Sequence, residues 1–323
     1  MKKLTFTQSI TAAVDEELTK DPNVIVMGED VRYWGAPLGE YTGLFKKHGE
    51  RVKDTPISET AIMGSAIGAA ATGLRPIAHI MFADFLGVVG DELLNQLQMR
   101  YMYGGKAKLP VTIMSYCGAG VSAAAQHSKN LYGWLMCIQG LKVVAAATPY
   151  DAKGLLKTAI REDNPVIFLQ HKMLMFSPDK ADIPDEEYTI PLGKAEVKRE
   201  GKDVTVVAIQ YMVHKALAAA EKLQKEGISI EVIDPRTITP LDKETILKSV
   251  KKTGKLAILC EEPITGSAAG EISAIVAEEA FDSLKAPIKR VCAPDTPIPF
   301  GGNLEKFWMP DDEKLIKAVK EIA

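Results

Sequence analysis

The sequence predicts an α/β fold in two domains, and three observations carry that prediction. A chain of 323 residues is long for a single hydrophobic core. Short β-branched runs alternate with longer helical patterns along almost its whole length, as in parallel sheets covered by helices. One stretch, 177–194, breaks that rhythm: it is rich in proline and acid and has no sustained period. The boundaries expected are therefore 1–176 for a first domain, 177–194 for a linker and 195–323 for a second domain.

In the first half, strands are expected at 24–28, 75–81, 110–116, 142–147 and 165–170. These are nearly continuous apolar runs, such as VIVMG and PVIFLQ, which suits sheets buried on both faces. Helices are expected between them at 7–19, 60–73, 88–101 and 150–162. The last follows Thr148 and Pro149, a cap and first-turn signal, and carries Asp151 in its first turn. In the second half the same rhythm gives strands at 203–210, 229–236, 255–262 and 288–294. Helices there are expected at 212–226, 242–252, 268–281 and 311–321.

Composition excludes more than it selects. Hydrophobic residues make up 46% and charged residues 25%, and the net charge is -3, so nothing points to nucleic acid or an anionic membrane as partner. No apolar run could span a bilayer. Asp15, Glu16 and Glu17 interrupt the place where an export signal would need its apolar stretch. Cys117, Cys137, Cys260 and Cys292 are widely spaced without a CxxC pair, which suits buried thiols in a reducing cytoplasm.

Three segments hold candidate functional residues. In DTPISET (54–60), Ser58 and Glu59 lead into AIMGSAIGAAATG, whose Gly64, Ala66, Gly68, Ala69 and Ala70 leave room for another backbone or a flat ligand. Glu59 suits a capping or dipole role at a helix N-terminus. It equally suits a carboxylate that exchanges a proton with a ring nitrogen; composition leaves both open. In MFADFLG (81–87), Phe82 and Phe85 are core residues or, for Phe85, a face for a heteroaromatic ring. In AGVSAAAQHSKN (119–130), Gln126, His127 and Ser128 follow a small-residue stretch beyond a strand end, where open α/β sheets bind ligands. An imidazole there is either structural or a proton donor to an anionic substrate at neutral pH. Finally, no GxxxxGK[ST] loop, GxGxxG turn after a strand, GxSxG elbow or HExxH is present. A chain without its own phosphate grip binds something unphosphorylated or completes its site with a partner.

Taken together, the blocks GEDV (28–31), RVKDTPISE (51–59), GAAATGLRPI (68–77), FADF (82–85), QHS (126–128), PYDAKGLLKTAIRE (149–162) and EVIDPRTITPLD (231–242) resemble the β subunits of the 2-oxoacid and acetoin dehydrogenase family. The resemblance runs over nearly the whole chain. It implies a transketolase-like pyrimidine-binding domain followed by a transketolase C-terminal-type domain. It also implies thiamine diphosphate as cofactor, shared with an α subunit in an α2β2 heterotetramer. The α subunit of the family carries the GDG motif that holds magnesium and the diphosphate, and no GDG occurs here. By the same resemblance, Glu59 matches the glutamate that hydrogen-bonds the aminopyrimidine, and Ile57 and Phe85 match residues that line or stack on that ring. His127 matches the histidine that faces the reacting carbon and assists acyl transfer to the lipoyl-lysine of an acyltransferase core. Some family members hold a potassium ion at AIRDxxP; here Ala159, Ile160, Glu162 and Asn164 fall on those positions, with Glu162 in place of the usual Asp.

Several blocks (MFADFLG, YMYGGKA, AAAQHS, QHKMLM and PIPFGGNLE) resemble acetoin rather than pyruvate dehydrogenase β subunits. An apolar pocket near Val88 and Val89 would suit a small neutral or methyl-bearing substrate. Lys129 stands where the family motif QHSQ has its last Gln. Two other readings compete: half of a transketolase-type enzyme acting on sugar phosphates, for which no basic cluster is evident, and a non-catalytic scaffolding subunit.

Overall fold

A computed structural model describes residues 1–102 and 104–323; Tyr103, within the YMYGGKA block, lies outside the described residues. Contacts divide the chain into two compact units. One comprises Met1–Cys117 with Ile138–Leu192, the other Gly118–Cys137 with Gly193–Ala323. The sequence reading places its division at 177–194. The contacts part the chain between Leu192 and Gly193, and they also group Gly118–Cys137, from the first half, with the second unit.

The strands of the first unit are β1 (Lys2–Leu4), β2 (Val24–Gly28), β3 (Val52–Asp54), β4 (Arg75–Ile80), β5 (Thr112–Cys117), β6 (Lys142–Val144), β7 (Val166–His171) and β8 (Ala181–Ile183). Six of them lie in the order β6-β7-β5-β4-β2-β3, each pair parallel. Strands β2, β5 and β7 are buried at every position, which is why their sequences are continuous apolar runs rather than alternating ones. Over the sheet, helix Phe6–Lys20 packs on helix Pro149–Arg161. The first helix opens with a capping box in which Thr5 and Gln8 exchange hydrogen bonds at 3.2 and 3.0 Å. In the second, the Thr148 hydroxyl accepts from Asp151 N at 3.1 Å and Pro149 opens the first turn, as its sequence predicts. Between the two helices Glu17, 3% exposed, takes Arg161 through two bonds of 2.8 and 2.6 Å.

The second unit carries β9 (Glu196–Arg199), β10 (Val204–Ala208), β11 (Ile230–Asp234), β12 (Thr237–Thr239), β13 (Leu256–Pro263) and β14 (Lys289–Ala293). Five form a sheet in the order β14-β13-β10-β11-β9, parallel except for β9. Its helices, Met212–Lys225, Lys243–Thr253, Ala268–Glu279 and Asp312–Lys320, lie close to their expected positions.

Several expectations change. The helix expected at 88–101 is broken into a 3-10 turn (Ala83–Gly87), the helix Gly90–Leu94, a second 3-10 turn (Gln96–Gln98) and one turn at Met99–Met102. Glycines at 87 and 90 weaken the start, and Asp91 draws the Asn95 and Gln96 amides onto itself at 2.7 and 3.0 Å, closing the turn locally. The stretch read as linker contains β8, which pairs antiparallel with β1. Of the four cysteines, Cys117 and Cys260 are buried, while Cys137 is exposed. Among the described residues no helix is long and apolar enough to cross a membrane.

Candidate active site

In the first unit the residues of interest stand beyond the carboxyl ends of the parallel strands. Strand β2 ends at Gly28, with Glu29 next in sequence. A side chain on Gly28 would meet the Cβ of His79 at 2.8 Å, so only glycine lets β2 and β4 close up here. Strand β3 ends at Asp54, and five residues later helix Glu59–Ala71 begins with Glu59 as its first residue. Ser58 makes no side-chain cap, so the capping-box reading of Ser58 and Glu59 is not realised. Burial, and next the charge of Glu59, raise the Glu29 carboxyl above the usual range, so the two acids share one electrostatic environment. Ile57 is 81% exposed.

On the same helix, Gly64 and Gly68 face open space: a methyl built on either would touch nothing within 4 Å. Tight packing inside this chain is therefore not what those glycines serve. Phe85 sits in the 3-10 turn after β4, half-buried, with its ring 6.4 Å from that of Phe82. Phe82 in turn lies 5.5 Å from the ring of Tyr116. Of the two valines expected to line a pocket, Val89 is fully buried in the core and only Val88 is exposed.

Deeper in the unit lies a closed polar cluster that has no sequence motif. The Tyr116 hydroxyl donates to Glu40, and His79 Nε2 stands 3.4 Å from the same carboxylate oxygen, with both side chains fully buried. The His79 ring is sandwiched edge-on by Tyr41 and Tyr116 at 5.5 and 4.8 Å. Burial pushes the Glu40 carboxyl up to about 7 and the His79 imidazole down to about 3, so near pH 6 both are neutral.

The segment with the potassium-position residues is already satisfied. Arg75 Nη1 donates to the carbonyls of Ile160 and Glu162 at 3.2 and 3.1 Å, and the Thr112 hydroxyl donates to that of Ala159 at 3.3 Å. The Glu162 carboxylate takes Lys142 Nζ at 2.5 Å and Asn164 Nδ2 at 2.7 Å. Among the described residues no group of three His, Cys, Asp or Glu could hold a metal ion.

The second unit holds His127. Its loop leaves Cys117 and runs to the short helix Tyr132–Met136 through left-handed backbone at Gly118, Gly120, Ser122 and Ala124. Three buried carboxylates receive the backbone around it. Glu261 takes Ala119 N at 2.7 Å and Asn130 Nδ2 at 3.0 Å. Glu305 takes Gly120 N at 2.9 Å and Ser122 N at 2.8 Å. Glu262 takes Gly133 N at 2.9 Å and Ala268 N at 2.8 Å. Beside the loop, Gln126, Lys129, Leu131, Glu261, Ile298 and Trp308 help to line a largely apolar cavity of about 490 Å³. Sequence reasoning missed all three glutamates. The available signal was two acids, Glu261 and Glu262, closing the otherwise apolar run LAILC (256–260).

Comparison with known proteins agrees along the whole chain. Residues 2–177 match the transketolase pyrimidine binding domain and residues 193–315 the transketolase C-terminal domain. The β subunit of acetoin:2,6-dichlorophenolindophenol oxidoreductase from Cupriavidus necator is 47% identical, over 99% of this chain and 97% of its own. From Bacillus subtilis, the pyruvate dehydrogenase E1 component subunit β is 43% identical and the 2-oxoisovalerate dehydrogenase subunit β 41% identical, each over 100% of this chain and 99% of its own. A solved split-gene transketolase, described as an inactive β4 tetramer, shares the fold with a TM-score of 0.81 over 99% of this chain and 98% of its own, at 24% identity. The chain belongs to the family of β subunits of the acetoin and 2-oxoacid dehydrogenases, built from a transketolase pyrimidine-binding domain and a transketolase C-terminal domain.

Proposed function

We propose that this chain is the β half of a thiamine-diphosphate-dependent dehydrogenase component. It cleaves acetoin, or decarboxylates a 2-oxoacid such as pyruvate, and passes the acyl group to lipoyl-lysine of an acyltransferase. The observation that carries this reading is the grouping in the first unit. Glu59 starts a helix within the electrostatic reach of Glu29, with the exposed apolar Ile57 two residues before it.

When bound, thiamine diphosphate supplies the carbanion-stabilising chemistry. Glu59 holds a proton at the pyrimidine ring nitrogen. Ile57 and the half-buried ring of Phe85 offer apolar surface to that ring. His127 presents an imidazole to the substrate and the acyl acceptor. Magnesium and the diphosphate belong to the α subunit, since this chain has no GDG and no phosphate loop. A potassium ion at Ala159, Ile160, Glu162 and Asn164 would share the Ile160 and Glu162 carbonyls with the Arg75 guanidinium, which donates to both.

An α partner, and with it an α2β2 assembly, is supported by what the chain leaves exposed. Trp34, Ile57, Met102, Phe300 and Phe307 are each more than two-thirds exposed and offer large apolar side chains to a partner chain. The open face of Gly64 and Gly68 offers a second close-approach surface.

The test is turnover of the chain co-expressed with an α partner, with thiamine diphosphate, magnesium and a dye acceptor, comparing acetoin and pyruvate. Activity only with both chains, and faster with acetoin, is expected. A stable complex that turns over neither substrate would favour the scaffolding reading. In the active complex, Glu59→Gln should lower turnover by about 10²-fold or more while leaving circular dichroism unchanged. Undiminished turnover would remove Glu59 from the chemistry.

A further inference from the structure

We propose that Glu305, acting with Glu261, is a positioning residue that fixes the working conformation of the His127 loop by binding the loop's backbone N–H groups. This deepens the reading above and rests on His127 acting at the substrate.

The loop needs outside help to hold its shape. Ser122 and Ala124 adopt φ of 55° and 58°, a left-handed conformation that side chains other than glycine rarely take. A turn of this kind aims successive N–H groups to one side, and buried N–H groups require acceptors. Here the acceptors are carboxylates. Each oxygen of Glu305 receives one N–H, from Gly120 at 2.9 Å and from Ser122 at 2.8 Å. A single oxygen of Glu261 receives both Ala119 N and Asn130 Nδ2, joining the two ends of the arc that carries Gln126, His127 and Ser128. Both glutamates are 2% exposed. Among the described residues Glu305 has no lysine or arginine in an ion pair, and its hydrogen-bond partners are the two backbone donors.

The fit is close as well as polar. Helix Gly302–Trp308, which carries Glu305, starts against the loop. A methyl group on Gly302 would come within 3.2 Å of the Ser122 hydroxyl. A glutamine at 305 would keep the shape but not the function. Its amide offers one acceptor oxygen and turns an NH2 donor toward a backbone N–H, so one contact becomes repulsive. The turn then relaxes, Ser122 leaves the left-handed region, and His127 shifts with it.

The experiment uses the α–β complex loaded with thiamine diphosphate and magnesium, and compares wild type, E305Q, E305Q/S122G and H127A. For E305Q, kcat should fall by about 10- to 100-fold, as expected for a misplaced reacting group. Assembly, cofactor affinity and KM should stay near wild type. S122G in the E305Q background should restore kcat about fivefold, because glycine holds the left-handed conformation without the carboxylate. That rescue separates positioning from a general structural role. E305Q with wild-type kcat alongside a crippled H127A would overturn the clamp alone, and so would a complete lack of rescue by S122G. H127A with wild-type kcat would overturn the role of His127 and the clamp with it. If E305Q does not assemble, S122V with Glu305 intact serves instead. Its β-branched side chain opposes the left-handed turn, so a fall in kcat is expected and wild-type kcat would overturn the proposal.

Discussion

The two units bury carboxylates in opposite ways. In the first, Glu40 faces side chains: the Tyr116 hydroxyl donates to it and His79 stands beside it, while among the described residues its second oxygen has no hydrogen-bond partner. In the second, Glu261, Glu262 and Glu305 face backbone N–H groups. The first arrangement can shed its charge without moving the chain, because a proton on Glu40 and a neutral His79 leave nothing unpaired in charge. In the second, burial also raises the Glu262 carboxyl, to about 7, but the partners it faces are backbone N–H groups, which do not titrate. Taking a carboxylate away from such a site leaves buried donors with no acceptor. Side-chain pairing couples one titrating group to another, and backbone pairing ties a carboxylate to the conformation of the chain.

Removing a carboxylate from each region tests that contrast. The largest stability loss is expected from Glu262→Ala, which strands the N–H groups of Gly133 and Ala268. At about 1–3 kcal/mol for each unsatisfied donor, urea unfolding should show a loss of about 2–6 kcal/mol. A loss below about 1 kcal/mol would mean that the backbone readily finds other partners.

Glu40→Gln should act through pH instead. The folded Glu40 carboxyl, pushed up to about 7, keeps a proton that the unfolded chain releases near 4.5. Its contribution to stability is therefore complete below about pH 4.5 and is lost as pH rises to about 7. The glutamine variant should lack that loss, which is at most about 3 kcal/mol for a shift of this size. A wild-type slope in the variant would break the account. His79 works in the other direction. Held neutral down to about 3, it makes stability fall as pH drops below 6.5, so the Glu40 slope shows best between pH 6.5 and 7.

The smallest effect belongs to Tyr41→Phe. Among the described residues the Tyr41 hydroxyl reaches only the Met114 sulfur, at 3.1 Å, and its loss should cost under about 1 kcal/mol by thermal unfolding. A larger cost would show that the cluster in the first unit is coupled more tightly than its partners indicate.

Local signals proved the easiest to read. The Thr148–Pro149–Asp151 start of a helix is written in three adjacent residues. Strand β7 announces itself as an unbroken apolar run. The helix expected at 88–101 failed because its periodicity does not reveal that Asp91 captures neighbouring amides and closes the turn early. Strand β8 was hidden because its partner β1 is at the other end of the first unit's sequence, so no local pattern marks it. Glu59, Ile57, Phe85 and His127 stood out only through the family's motifs, since their composition alone allowed structural roles as readily as chemical ones.

What the sequence determined by itself is the alternating α/β architecture, the family, and the absence of a phosphate grip from this chain, because each is encoded in contiguous residues. What only the tertiary structure decided is how the His127 loop is held and which acids are charged. Glu261 and Glu305 meet the loop across separations of 142 and 185 residues, and Glu40 meets Tyr116 across 76. The physical reason is that burial and hydrogen-bond direction set the state of a carboxylate, and both depend on neighbours brought together by folding rather than by chain order.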